Sequence, residues 1–137
     1  MRIAFASDDE NETTLAVRRA LADAGHEISQ PPTQQSWPDL GRFVGEAVVD
    51  GHADFGVVMC WTGTGTAIAA NKVPGVRAAL CTDAPTAAGA RTWNDANVLV
   101  MGLRLTSADL AQEMLDAWFD TEPDPGEVGN IARLEPT

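Results

Sequence analysis

Short apolar runs and amphipathic stretches alternate along the chain as far as about residue 119. Residues 2–7 form an apolar run of Ile, Ala and Phe, short enough for a strand. Residues 12–24 carry Leu15, Val17, Leu21 and Ala22 at helical spacing around Arg18, and Gly25 stands where such a helix stops. A weak strand is predicted over 26–29, followed by a Pro- and Gln-bearing loop over 30–35. Ser36-Trp37-Pro38-Asp39 resembles a capping box with Pro in the first turn, opening a helix that runs to Asp50 ahead of Gly51. Residues 55–60 (FGVVMC) are continuously apolar, as a buried parallel strand requires. Thr62-Gly63-Thr64-Gly65 then leads into a helix predicted over 66–72. A fourth strand is predicted over 76–81, an Ala-rich helix capped by Asp83 over 85–92, and a fifth strand over 97–101. A second capping box, Thr106-Ser107-Ala108-Asp109, opens a helix that ends near Phe119. The tail, 120–137, is rich in Pro and acid and is expected to wrap a surface. No repeat or linker divides residues 1–137, so one domain is expected.

Five strands alternating with helices predict an α/β fold, a three-layer α/β/α Rossmann-like arrangement around a five-stranded parallel sheet. The simplest strand order is 2-1-3-4-5, whose connections reverse direction between strands 1 and 3. Ligands bind such folds in the crevice at the carboxyl ends of those strands. Asp8 follows strand 1 and Cys60 ends strand 3, so the fold alone brings them together.

Composition narrows the function. Nine basic against 20 acidic residues give a formal charge of −11, which disfavours nucleic acid and anionic membranes as partners. No apolar run approaches the roughly 20 residues of a membrane span. The N-terminal stretch turns acidic at Asp8, where a secretion signal would still be apolar, so a cytoplasmic protein is expected. Cys60 and Cys81 form no CxxC pair, and His26 and His52 stand apart from them and from each other, so neither a disulfide framework nor a metal site is expected.

Chemistry concentrates around Cys60. Most free cysteines are small buried hydrophobes, the reading adopted for Cys81. Cys60 differs because a Gly-rich turn and a predicted helix start follow it, and their N–H groups and dipole favour a thiolate. Gly63 and Gly65 complete neither a P-loop nor a dinucleotide fingerprint. A GxG just beyond a strand-end Cys better fits a cradle for a developing oxyanion. Asp8-Asp9-Glu10 reads either as carboxylates that could bind a metal or as a solvated helix entry. Asn94-Asp95-Ala96-Asn97 reads as a turn or as a polar wall on the far side of the crevice.

Taken together, Cys60, Thr62-Gly63-Thr64-Gly65, the Ile68-Ala69-Ala70-Asn71-Lys72 string, Val73-Pro74-Gly75-Val76-Arg77-Ala78-Ala79-Leu80 and Asn94-Asp95-Ala96-Asn97-Val98-Leu99 resemble the ribose-5-phosphate isomerase B family, which includes the subunits of galactose-6-phosphate isomerase. The resemblance implies a cofactor-free aldose–ketose isomerase that moves a proton between two adjacent sugar carbons through an enediolate. It implies Cys60 as the base, Thr62 as the hydroxyl beside it, and amides around Gly63, Thr64 and Gly65 as the enediolate cradle. Asp8 and Asn94 are implied as ligands of the sugar hydroxyls and Arg133 as a phosphate ligand. A homodimer or homotetramer is implied, its sites completed by the neighbouring subunit.

Four positions depart from the family pattern. Asp9 and Trp93 stand where the family usually has His, Trp61 where it has Gly, and Gly129 near the place of a phosphate-binding Arg. The His replaced by Trp93 is associated with ring opening, and indole N–H donates but cannot accept a proton. Trp61 and Trp93 read either as core or interface residues or as side chains that narrow the pocket and stack on a sugar face. The expected substrate is therefore a short or modified sugar phosphate rather than ribose 5-phosphate. An unphosphorylated sugar, or a non-catalytic role as the sugar-binding or partner subunit of a hetero-oligomeric isomerase, is the alternative.

Overall fold

Continuity of apolar side chains decides which strands occupy the middle of the sheet. The computed structural model describes residues 1–135 and contains β1 (Arg2–Ser7), α1 (Glu12–Asp23), β2 (Glu27–Ser29), α2 (Trp37–Val49), β3 (Phe55–Cys60), α3 (Thr64–Asn71), β4 (Ala78–Leu80), α4 (Ala84–Asn94), β5 (Val98–Gly102), α5 (Ala108–Phe119) and α6 (Val128–Ala132), the last preceded by a 3-10 turn at Pro125–Glu127. All four strand pairings are parallel, and the order is 2-1-3-5-4. The α/β class and the parallel five-stranded sheet are those expected from sequence.

The expected order 2-1-3-4-5 is corrected at one edge, where β5 lies between β3 and β4. Every residue of β5 is buried, whereas Ala78 and Ala79 of β4 are half-buried and Leu80 is exposed. A Val-Leu-Val-Met run is stabilised more by a neighbour on each side than Ala-Ala-Leu is. β4 is also shorter than the predicted 76–81. Its outer edge is closed by Asn71, whose side chain accepts from Ala78 N at 2.8 Å and donates to Ala78 O at 2.9 Å. The Asn of the Ala-Ala-Asn-Lys motif thus protects the sheet edge.

Reversing direction after β4 puts α4 on the opposite face from α3. One layer holds α2 and α3, which cover Ala4, Ala6, Val58, Val98 and Val100. The other holds α1, α4 and α5 over Phe5, Met59, Leu99, Met101 and the buried Trp118. The sheet alternates between these two cores residue by residue. The start of α4 matches its capping signal, with Asp83 accepting from Thr86 N, whereas α5 is capped one residue later than the box at Thr106 implies, with Ser107 accepting from Leu110 N. Ser36 is the N-cap of α2 but makes no capping bond, because its hydroxyl reaches Asp39 Oδ2 at 3.4 Å instead. The described part of the tail does pack on the body: Asp124 N donates to Thr92 O, and Glu135 accepts from Gly75 N and from Arg77. No helix among the described residues is long and apolar enough to cross a membrane.

Candidate active site

β3 carries Cys60 to the carboxyl edge of the sheet, in register with Gly102 of β5 and only 5% exposed. The turn beyond it is stitched to the end of β5, because Leu103 N and Arg104 N donate to the carbonyls of Cys60 and Trp61, each at 2.9 Å. Thr62 lies directly over β5. A Cβ on Gly102 would stand 2.6 Å from the Thr62 carbonyl oxygen, so only glycine lets the turn settle there. Gly63 is left-handed at φ +80° and is the N-cap of α3, which begins two residues earlier than the sequence suggests.

A glycine N-cap has no side chain to bond the first turn, and Ala67 N is the first amide to reach back, to Gly63 O at 3.1 Å. The amides of Thr64, Gly65 and Thr66 are therefore the orphan donors of the helix start, with the positive end of its dipole behind them. Thr66 stands against the sulfur, its Oγ1 3.2 Å from Cys60 Sγ in a buried contact. The Thr62 hydroxyl, expected beside Cys60, pairs instead with Thr64 Oγ1 at 2.7 Å. Thr66 was absent from the sequence reading. Its signal is a Thr at the third helical position, facing back along the turn from a strand-end Cys.

Asp8 reaches the same edge, with its N–H donating to Met59 O at 3.2 Å. Burial, and secondarily the neighbouring Asp9 carboxylate, raise its carboxyl above the ordinary aspartate value, against an opposing backbone hydrogen bond. The Asp9 carboxylate turns onto the backbone, accepting from Glu10 N at 2.8 Å. A cavity of about 200 Å³ opens beside the turn, lined by Trp61, Thr62, Leu80, Cys81, Arg104 and Leu105 among others. Burial, then Asp83, push the Cys81 thiol up to about 12, which suits the core role assigned to it. Arg104 is the cation of this cavity, and its guanidinium makes no hydrogen bond or salt bridge among the described residues. Sequence reasoning passed over it, although an Arg two residues past a wholly apolar strand was the available signal.

Three expected site residues lie elsewhere in the chain. Trp93 and Asn94 end α4, at the amino edge of the sheet, where Asn97 and Asp95 hold Arg77 just ahead of β4. Arg133 follows α6 in the tail that Glu135 ties to that same Arg77. Within one chain, then, Asp8, Cys60 and the α3 amides gather at one edge of the sheet, while Trp93, Asn94 and Arg133 stand at the other. The wall expected from Asn94 is not built in cis, because α4 runs from the carboxyl edge back to the amino edge before β5 begins. No group of three or more His, Cys, Asp or Glu side chains among the described residues is arranged to hold a metal ion.

Comparison with known proteins bears on this arrangement. The profile of a family described as Ribose/Galactose Isomerase matches residues 3–135. The D-erythrulose-4-phosphate isomerase of Pectobacterium atrosepticum is 39% identical over 111 residues, covering 80% of this chain and 72% of its own. Ribose-5-phosphate isomerase B of Escherichia coli is 36% identical over 110 residues, covering 77% and 74%. The crystal structure of a ribose 5-phosphate isomerase from Thermotoga maritima superposes with a TM-score of 0.91 at 35% identity, covering 98% of this chain and 97% of that one.

Proposed function

The chain belongs to the ribose/galactose isomerase family of sugar-phosphate aldose–ketose isomerases, and from that premise we propose that it isomerises a short, open-chain sugar phosphate with Cys60 as the base. The observation that carries this reading is the buried sulfur at the end of β3, set against the uncapped first turn of α3. In the thiolate form Cys60 removes the proton from the carbon beside the carbonyl. Negative charge then develops on the two oxygens of the enediolate, and the orphan amides of Thr64, Gly65 and Thr66 meet it without reorganising. The resulting thiol returns the proton to the adjacent carbon, and the hydroxyl proton passes from one enediolate oxygen to the other, which completes the exchange of aldehyde and ketone. Asp8 orients a substrate hydroxyl, and the Thr62–Thr64 hydroxyl pair lines the approach.

Arg104 anchors the phosphate in this reading. The guanidinium is unpaired among the described residues and shares the cavity with Trp61 and Thr62, and its planar fork suits a phosphate. The Asp9 carboxylate, engaged on Glu10 N, does not have to face the anion. Trp93, Asn94 and Arg133 serve the site of a second copy, so the active form is a homodimer or a multiple of it. Two free cysteines suit the reducing cytoplasm as its compartment.

Substrate length follows from Trp61 and Trp93. Trp93 offers no acceptor for acid–base ring opening. A four-carbon sugar phosphorylated at its terminal oxygen cannot close a five-membered ring through that oxygen and does not need the step. The name of the Pectobacterium relative points the same way. The test is a panel of tetrose, pentose and hexose sugars, with and without phosphate, followed by proton exchange at C2 in deuterated water. Erythrose or erythrulose 4-phosphate should give a higher kcat/KM than ribose 5-phosphate, and Cys60→Ala should lose about two to four orders of magnitude of rate. A preference for the pentose would overturn the substrate assignment, and a fully active Cys60→Ala would overturn the mechanism.

A further inference from the structure

A buried hydroxyl with two possible acceptors and one proton faces the sulfur. Thr66 is wholly buried, and its Oγ1 lies 3.2 Å from Cys60 Sγ and 3.3 Å from Gly63 O. While Cys60 is a thiol, S–H can donate to the hydroxyl, leaving the hydroxyl proton for Gly63 O. Once Cys60 is a thiolate, the sulfur can only accept, and the single hydroxyl proton of Thr66 has to turn toward it. That turn orphans nothing, because Gly63 O keeps the N–H of Ala67 at 3.1 Å. A Ser or Thr near a helix start commonly bonds back to the carbonyl three residues earlier. Here the same hydroxyl has a second acceptor, the buried sulfur of Cys60.

We infer that Thr66 is a positioning residue for Cys60, a hydroxyl switch that donates to the thiolate, accepts from the thiol and so holds the sulfur in one place through both halves of the proton transfer. The inference rests on the reading of Cys60 as the base. No other hydrogen bond to the sulfur is present among the described residues. The titratable and charged groups at this edge are Asp8 and Asp9 beyond β1, Cys81 and Asp83 beyond β4, and Arg104 beyond β5, and none of them bonds it. Hydrogen bonds to an ionised group are the stronger class, so removing the hydroxyl costs the thiolate more than the thiol.

Thr66→Val removes the hydroxyl at similar shape, Thr66→Ala removes it with less bulk, and Thr66→Ser restores it. The readouts are the ultraviolet absorbance of the thiolate against pH, with Cys60→Ala subtracted, and the pH profile of kcat/KM. Cys81, raised to about 12, stays a thiol over the working range and does not confuse the titration. In the Val and Ala variants the thiolate titration and the ascending limb of kcat/KM should both move to higher pH. Activity at neutral pH should fall about ten- to a hundredfold, the size of a hydrogen bond to a charged group. Thr66→Ser should return both to wild type. Circular dichroism confirms which variants are folded, and either hydroxyl-free variant suffices. A titration that does not move in a folded variant overturns the inference, whatever happens to the rate. A titration that moves while Cys60→Ala remains active would instead uphold the tie between Thr66 and the sulfur and remove Cys60 from the mechanism.

Discussion

Asp8 shows how a single side chain can be held at a site against its own electrostatic preference. It is half-buried at the end of β1 beside a second carboxylate, and both circumstances favour its protonated form in the folded protein. A folded value above the unfolded one means that the native state binds the proton more tightly. The contribution of Asp8 to stability is therefore greatest in acid, below the ordinary value of 3.8, and is lost as pH rises through the raised value. At neutral pH the ionised residue destabilises the fold. Asp8→Asn should melt higher than wild type at neutral pH, and the gap should close in acid. The same substitution should lower kcat/KM, since the carboxylate is assigned to a substrate hydroxyl. Thermal melts at the two pH values check the sign, and a neutral-pH melt below wild type would show that Asp8 is satisfied by partners other than those described. Arg91 is the contrasting case. Its buried guanidinium is stabilised by Asp95 Oδ1 at 2.9 Å, by Ala96 O at 2.7 Å and by the face of Phe55, and it fixes the left-handed Asp95 that ends α4.

At the scale of elements, the turn from β3 into α3 depends on the strand beneath it. Gly102→Ala would put a Cβ 2.6 Å from the backbone oxygen of Thr62, and neither backbone can yield without lifting the loop. Overpacking of this kind costs about 1–3 kcal/mol, so a lower melting temperature is expected. Because the loop carries the first-turn amides, kcat should fall more than KM rises. A variant that loses stability alone, with kcat intact, would mean that the loop shifts without disturbing the amides. Much of this architecture was legible in the residues. Apolar runs located four strands and a weaker signal located β2, while the cap at Asp83 located the start of α4 and the box at Thr106 located that of α5 to within a residue. The order of the last two strands was not legible from alternation, which is blind to neighbours. The information lay in the contrast between Val98-Leu99-Val100-Met101 and Ala78-Ala79-Leu80. In the site, Cys60 and Asp8 could be placed because strand ends and a switch point determine them. Thr66 and Arg104 could not, because side-chain direction within a helical turn and the absence of an ion pair are properties of the folded chain. Gly63 and Gly65 were read as freeing amides, and their contacts add a second reason: a Cβ would meet Leu80 at the first and the Trp37 ring at the second.

For the whole molecule, the proposed dimer would resolve the separation of the two half-sites by symmetry. A two-fold axis perpendicular to the strands on the β4 side would set the sheets of two copies antiparallel, so that the carboxyl edge of one meets the amino edge of the other. The exposed apolar residues follow this path. Trp61, 58% exposed, shares the crevice with Leu80, and Leu80 shares the groove along β4 and α4 with Trp93, 60% exposed. Asn71 already occupies the backbone of β4 at Ala78, so such a contact would be made by side chains rather than by extending the sheet. In the proposed dimer, Trp93 and Asn94 of one copy would close over the carboxyl edge at which the other copy's Cys60 lies. Such a site can be rebuilt from two broken chains. Cys60→Ala and Asn94→Ala should each be severely impaired alone, yet co-expression should restore activity, because a mixed dimer has one site with both residues intact. Random pairing makes half of the dimers mixed and half of their sites whole, which sets a ceiling of about a quarter of wild-type activity. Sedimentation should show a dimer under the assay conditions. If each chain built its site alone, co-expression would restore nothing, and an active monomer in the centrifuge would place Trp93 and Asn94 outside the reaction.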